Sequence, residues 1–152
     1  MTPEYIKASM DTFPLEFLEI AQRRICVFGE DSFRELSLEA SDVRHQCERE
    51  LKTILLGMRQ ALLATAGRNK ALTTIEVDVG ERLIRSLRGL LWLHGEAEPK
   101  LPIDTVAAIE DGIHLSLPGI RSAIDDRSTH GWDEFKILYA DVDALRNHID
   151  AW

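Results

Sequence analysis

Cysteine is scarce in this chain of 152 residues, and that scarcity is the first of several that narrow what it can be. The two present, Cys26 and Cys47, have no paired spacing, which excludes a disulfide framework. Both are expected as reduced, partly buried thiols of a cytoplasmic protein. No apolar run approaches the ~18 residues that a membrane helix needs. The opening Met1-Thr-Pro-Glu-Tyr5 lacks the charged and apolar regions of a secretory signal. Cations are outnumbered, 18 Lys and Arg against 26 Asp and Glu, for a net charge of −8. A field of that sign disfavours nonspecific nucleic-acid binding and anionic membrane surfaces. Ser86, Ser116 and Ser122 lack a Gly-x-Ser-x-Gly turn, and no phosphate loop or dinucleotide fingerprint occurs. No cofactor is expected, and no internal repeat is present.

What the chain does have is helical periodicity. Hydrophobic content of 45% and charged content of 29% suit a globular protein, and the length suits one domain over residues 1–152. In residues 37–66, Val43, Cys47, Leu51, Ile54, Met58 and Leu62 recur at steps of three or four. At about 100° per residue they share roughly a third of a turn, one continuous apolar stripe. Residues 73–94 repeat the pattern with Val79, Leu83, Leu87, Leu90 and Leu91. Two stripes joined by so short a linker fold back as an antiparallel hairpin. Gly67 is the expected cap of the first arm, and Thr73 with Glu76 the expected capping box of the second.

The remaining segments pack on that hairpin. Thr2-Pro-Glu4 reads as a helix start, and Pro14 ends that helix near Phe13. Residues 14–28 read either as a small extended region or as a helix: Leu15 and Phe17 alternate, while Phe17, Leu18 and Ala21 share a helical face. Arg24-Ile-Cys-Val-Phe28 has the β-branched and aromatic content of a strand. Asp104 is the expected cap of a helix to about Leu117, broken by Pro118-Gly119 and followed by a short helix to Asp126. Residues 127–131 read as a loop. The last helix carries Trp132, Phe135, Leu138, Tyr139, Val142, Leu145, Ile149 and Trp152 inward, so it docks on the body or on another chain. The predicted fold is mainly α, an up-down bundle with the last helix across the hairpin and a small extended segment possible near the N-terminus.

Three constellations carry chemical readings. Asp42 with His45 and Asp111 with His114 repeat a carboxylate–histidine spacing that bundle di-metal sites use, with Glu19 and Glu81 as further carboxylates. His45 lies far round its helix from the apolar stripe, so no metal site is expected. Arg88 and His94, five residues between them, resemble the motif of HEPN ribonucleases, helical bundles that often act as dimers in toxin–antitoxin systems. Arg44, Glu48, Lys52 and Arg59 share one edge of the first stripe, within about 80°. The simpler reading is ion pairing of Arg44 and Lys52 with Glu48. The functional one is that Arg44 and Arg59 clamp a phosphate-bearing ligand or an acidic partner.

A family resemblance reaches much of the chain. Phe13-Pro-Leu-Glu-Phe-Leu-Glu-Ile20, Val27-Phe-Gly-Glu-Asp31, Arg44-His-Gln-Cys-Glu-Arg-Glu-Leu51 and Leu55-Leu-Gly-Met-Arg-Gln60 resemble the latter half of bacterial nucleotidyltransferase-domain proteins. In those, the end of a small catalytic fold leads into a helical domain akin to the substrate-binding bundles of minimal nucleotidyltransferases. The resemblance covers roughly residues 3–95. The family's active site needs a Gly-Ser turn and an acidic pair for Mg²⁺, and neither occurs here. Glu16 or Glu19 would at most stand where a third carboxylate sits, and one carboxylate cannot assemble a two-metal site. The resemblance therefore implies a non-catalytic substrate- or partner-binding module, with a nucleotidyltransferase subunit or a phosphate-bearing ligand as its partner. A ribonuclease or a structural homodimerisation bundle is the alternative.

Overall fold

Seven helices form the regular structure of the described residues, α1 (Pro3–Ser9), α2 (Pro14–Arg23), α3 (Ala40–Thr65), α4 (Asn69–Leu93), α5 (Pro102–Ile113), α6 (Pro118–Ile124) and α7 (Trp132–Ile149). The structure is a computed structural model and describes residues 3–29, 31, 33–34, 36–66, 68–125 and 131–149. No strand occurs among them. The fold is a mainly α bundle.

The hairpin forms as the stripes predict. Val43, Cys47, Leu51 and Ile54 of α3 are fully buried, as are Leu83, Leu87 and Leu90 of α4. α7 packs against both arms. The centre of the bundle is α4, which touches α2, α3, α5, α6 and α7. From Ser86 to Leu91 every residue of α4 is buried, so this stretch meets protein all round rather than along one stripe. Gly89 permits that, and Gly80 permits a close approach of α6 farther back along α4. A Cβ on Gly89 would lie 2.9 Å from Cys47 Sγ and collide with Leu15 Cδ2, and one on Gly80 would lie 2.5 Å from the Ala123 carbonyl oxygen.

Helix boundaries follow local chemistry. α2, α5 and α6 each start on a proline, whose fixed φ suits the first turn and whose missing N–H leaves no orphan donor. α3 and α5 end on left-handed non-glycine residues, Ala66 (φ 50°) and His114 (φ 53°). Buried Asp141 of α7 accepts the N–H groups of Gly119 (2.6 Å) and Ile120 (3.2 Å), satisfying the start of α6 from outside it. Gly119 sits so close to α7 that a Cβ there would come within 2.6 Å of backbone atoms of Ile137 and Leu138.

Several expectations need correction. Of the two readings left open for residues 14–28, the helix holds over 14–23, because it puts Pro14, Leu15, Phe17 and Leu18 in the core together. α3 starts at Ala40 rather than at residue 37. α4 starts at Asn69, which places Thr73 and Glu76 inside it and adds fully buried Leu72 to its stripe. α5 starts at Pro102 with Leu101 as its cap residue instead of Asp104, and ends at Ile113. Leu117 belongs to the approach to α6, which Pro118 and Gly119 start rather than break. Trp132 is exposed, and Cys26 is exposed rather than partly buried. Thr2, Gly67, Asp126, residues 127–130 and Trp152, named above as cap, cap, helix end, loop and inward anchor, lie outside the described residues. Cys47 is buried as expected, and desolvation pushes its thiol up to about 12.

Leu51→Asp or Leu87→Asp is expected to unfold the bundle, because a buried unpaired carboxylate costs several kcal/mol against a total of about 5–15. Retention of the wild-type melting temperature and helical circular dichroism would show that the assigned seam is wrong.

Burial raises the carboxyl of Asp141, partly offset by the two N–H groups it accepts. An acid raised on folding binds more protons in the native state. Its contribution is therefore present below the ordinary carboxylate range and is lost as pH rises through the raised folded value. Asp141→Asn should remove that component, so the stability difference between wild type and variant should change across this window. Parallel stability–pH curves for the two proteins would contradict the linkage.

Candidate functional site

Two polar regions flank the hairpin on different sides, and the predicted site residues divide between them. The first fastens α2 to the hairpin. Buried Gln46 of α3 accepts the Leu15 N–H at 2.8 Å and donates to Glu16 at 2.9 Å. Glu16 also meets Arg85 of α4 at 3.3 Å, and Arg85 reaches Glu19 at 3.4 Å. Glu19 lies 3.5 Å from Arg88, whose Nε is 2.8 Å from Glu98 in the α4–α5 connector. That last contact is an ion pair in distance but is not aligned as a hydrogen bond. Arg23 closes the ring, 2.5 Å from Glu98 and 3.7 Å from Glu19.

Arg88 is buried, and desolvation together with the neighbouring Arg23 lowers its guanidinium, while Glu98 and Glu19 hold it charged. A cation so enclosed acts as a structural tie, because its charge is committed to two carboxylates. Glu16 and Glu19, the candidates for a third carboxylate, stand on a helix and face arginines.

The second region is a cleft of about 670 Å³ on a different side of the N-terminal part of α3. Its wall combines Ala40 and Ser41 from the first turn of α3, then Arg44, His45 and Glu48, with Leu90, Leu93 and His94 from the end of α4 and Ile149 from α7. Arg44 donates from Nη2 to the Ile149 carbonyl at 3.1 Å and lies 3.5 Å from Glu48. It thereby caps the end of α7. Glu48 also meets Lys52 at 3.7 Å, so the simple i, i+4 pairing is present. Nη1 of Arg44 stays uncommitted among the described residues. The cleft thus offers one fixed arginine, two imidazoles and a helix start, opposed by one carboxylate that already has two cationic partners.

The structure separates the proposed pairs. Arg44 and Arg59 are fifteen residues apart on one straight helix, about 22 Å along its axis. Arg59 instead donates to the Tyr139 hydroxyl at 2.5 Å and stacks 5.5 Å from that ring, tying α3 to α7. Arg88 and His94 project about 120° apart on α4. Arg88 faces the α2 network, whereas His94 is exposed at the helix end and lines the cleft with Arg44. Asp111 and His114 border a different groove, beside α6, from the one that holds His45. Among the described residues no three His, Cys, Asp or Glu side chains are placed to hold a metal ion.

Sequence reasoning missed Gln46 and Asp141 as structural polar groups, yet each left a signal: a polar residue at an inward position of an otherwise apolar stripe. It missed Glu98 because nothing in a proline-bearing connector marks which acid turns inward. The convergence of His45 and His94 on Arg44 had no sequence signal, since it depends on how α3 and α4 register. No described helix is long and apolar enough to cross a membrane. No family model, curated protein or solved structure matches the chain.

Within the α2 network, Arg88→Met and Glu98→Gln should each destabilise, because each leaves a mostly buried partner short of a charge. A double-mutant cycle should return a coupling of about 0.5–3 kcal/mol, against near zero for the exposed Arg85–Glu16 pair. Equal coupling in the two cycles would remove the distinction drawn between them.

Proposed function

We propose that this chain is a non-catalytic helical binding module, similar in kind to the substrate- or partner-binding bundles of minimal nucleotidyltransferases, which receives a phosphate-bearing ligand in the Arg44–His45–His94 cleft. The observation that supports the reading is the cleft itself, where residues far apart in sequence converge on one arginine. Arginine's planar fork suits phosphate oxygens, and the uncommitted Nη1 gives it a donor to offer. The N–H groups at the start of α3 add a favourable partial charge. A nucleotidyltransferase subunit, acting in trans, would supply the chemistry this chain lacks. The ribonuclease alternative finds less support, since Arg88 is committed to Glu19 and Glu98 on another side of α4 from the cleft.

Titration calorimetry of the purified chain with each of the four nucleoside triphosphates tests the reading. Saturable binding that weakens with added salt is expected, with at least a tenfold loss (about 1.4 kcal/mol) in Arg44→Ala. Arg59→Ala should bind as wild type does, because its side chain serves Tyr139 instead. No heat of binding for any of the four at millimolar ligand, or full affinity in Arg44→Ala, would overturn the assignment.

A further inference from the structure

The end of α4 carries a second cavity beside the Arg44 cleft. It encloses about 490 Å³ between α4 and α5, a volume within the usual range of small-molecule sites. Buried Leu91, Ile109 and Ile113 give it an aliphatic floor. Gly112, where a Cβ would meet nothing within 4 Å, leaves the α5 side of the opening clear. The polar side chains around it are His94, Glu96 and Asp111. The two cavities therefore share His94. At about 100° per residue, His94 falls between Leu90 and Leu93, which line the Arg44 cleft, and Leu91, which lines the second cavity. It is the partition between them, and an elongated ligand held in one reaches the other across it.

The two sides of that partition differ in charge. The first offers Arg44 and His45 against Glu48, whose carboxylate already meets Arg44 and Lys52. The second offers two carboxylates. Glu96 follows Gly95, whose φ of +73° turns the chain out of α4, and Asp111 stands on α5. Both are exposed, and neither side chain has a hydrogen-bond or ion-pair partner among the described residues. Arg121, which lines the adjoining groove with Asp111, is paired with Glu110. An ionised carboxylate only accepts hydrogen bonds, so the second cavity takes a group that donates. An ammonium donates, but it is strongly hydrated and gains nothing from an aliphatic floor. A flat ring with N–H groups side by side along one edge uses both the floor and the carboxylates. Among the nucleobases that edge belongs to guanine, whose N1–H and N2 amino group point the same way. Adenine and cytosine set an acceptor nitrogen beside their amino group, and uracil flanks its N3–H with two carbonyls, so a carboxylate is repelled there.

We propose that the phosphate-bearing ligand of this chain is a guanine nucleotide, with its phosphates on Arg44 and its base in the α4–α5 cavity, the N1–H and N2 amino group donating to Glu96 and Asp111. The base assignment rests on the phosphate site proposed at Arg44 and adds to it the choice among nucleotides. Phosphate and base then lie on opposite sides of His94, each beside the charge that suits it. The same arrangement keeps the two free carboxylates away from the phosphates.

Calorimetric titration of the purified chain with GTP, ATP, CTP, UTP and ITP separates the base from the phosphate. GTP should bind about tenfold more tightly than ATP, CTP or UTP. ITP, which keeps the N1–H but lacks the N2 amino group, should fall between. The double variant Glu96→Gln/Asp111→Asn should bind all five alike, because each carboxamide sets an N–H of its own against the donor edge. Its melting temperature should match wild type, since both side chains are exposed. Arg44→Ala should weaken all five in proportion and keep their order. Equal affinities for the five, each reduced in Arg44→Ala, overturn the base assignment and leave the phosphate site standing. A guanine preference that survives the double substitution overturns it as well. Absence of binding by any of the five removes both.

Discussion

The structure depends on the complete enclosure of the second half of α4. A helix buried on one stripe tolerates polar residues over most of its circumference. One buried from Ser86 through Leu91 penalises any polar group left without a partner, and the strongest demand comes from a charge. That constraint explains Gly89, where the side chains of Leu15 from α2 and Cys47 from α3 crowd in, and it explains Arg88. A cation on so enclosed a stretch requires carboxylates brought to it, and Glu19 and Glu98 arrive from α2 and from the α4–α5 connector. The placement of two otherwise peripheral segments thus follows from one residue of the central helix.

The α2 network shows how apolar and ionic contributions divide. Leu15 and Leu18 join the common core and supply most of the docking energy by burial. The exposed pair of Arg85 with Glu16 adds little. Gln46 contributes orientation: it fixes the first turn of α2 through the Leu15 N–H, a donor the helix itself cannot satisfy. A residue that reads as a flaw in the apolar stripe of α3 is what sets the angle of another helix.

Legibility from sequence followed the range of the forces involved. The stripes of α3, α4 and α7 were readable because burial acts with the period of the helix, and Val43, Leu51, Leu83, Leu87, Leu138 and Leu145 all lie in the core. Boundaries were less readable. Thr73 and Glu76 make a sound local capping box, but packing of Leu72 outweighs it and carries α4 back to Asn69. Arg44 and Arg59 share an angular position on α3, which sequence gives. Their axial separation and their partners on α7, Ile149 and Tyr139, belong to tertiary structure. A helical wheel reports direction but suppresses distance along the axis, so it joined two arginines that never meet.

Residues 14–28 carry two competing patterns, and the outcome shows what decides between them. Over 14–23 the alternation of Leu15 and Phe17 is weaker than the helical option, which buries Leu15, Phe17 and Leu18 together and turns Glu16 and Glu19 toward the arginines of α4. The helix wins because this chain provides a helical surface for it to dock on. Over 24–28 the strand pattern meets no such competitor, since a helix there would bury nothing and would break the Arg24–Asp31 ion pair. The segment takes no regular structure and is exposed, with the Cys26 thiol donating to the Phe28 and Gly29 carbonyls. Apolar residues in water are an ordinary cost when scattered singly. Ile25, Val27 and Phe28 form a patch rather than isolated exposures, and the bundle that carries them gains nothing from it.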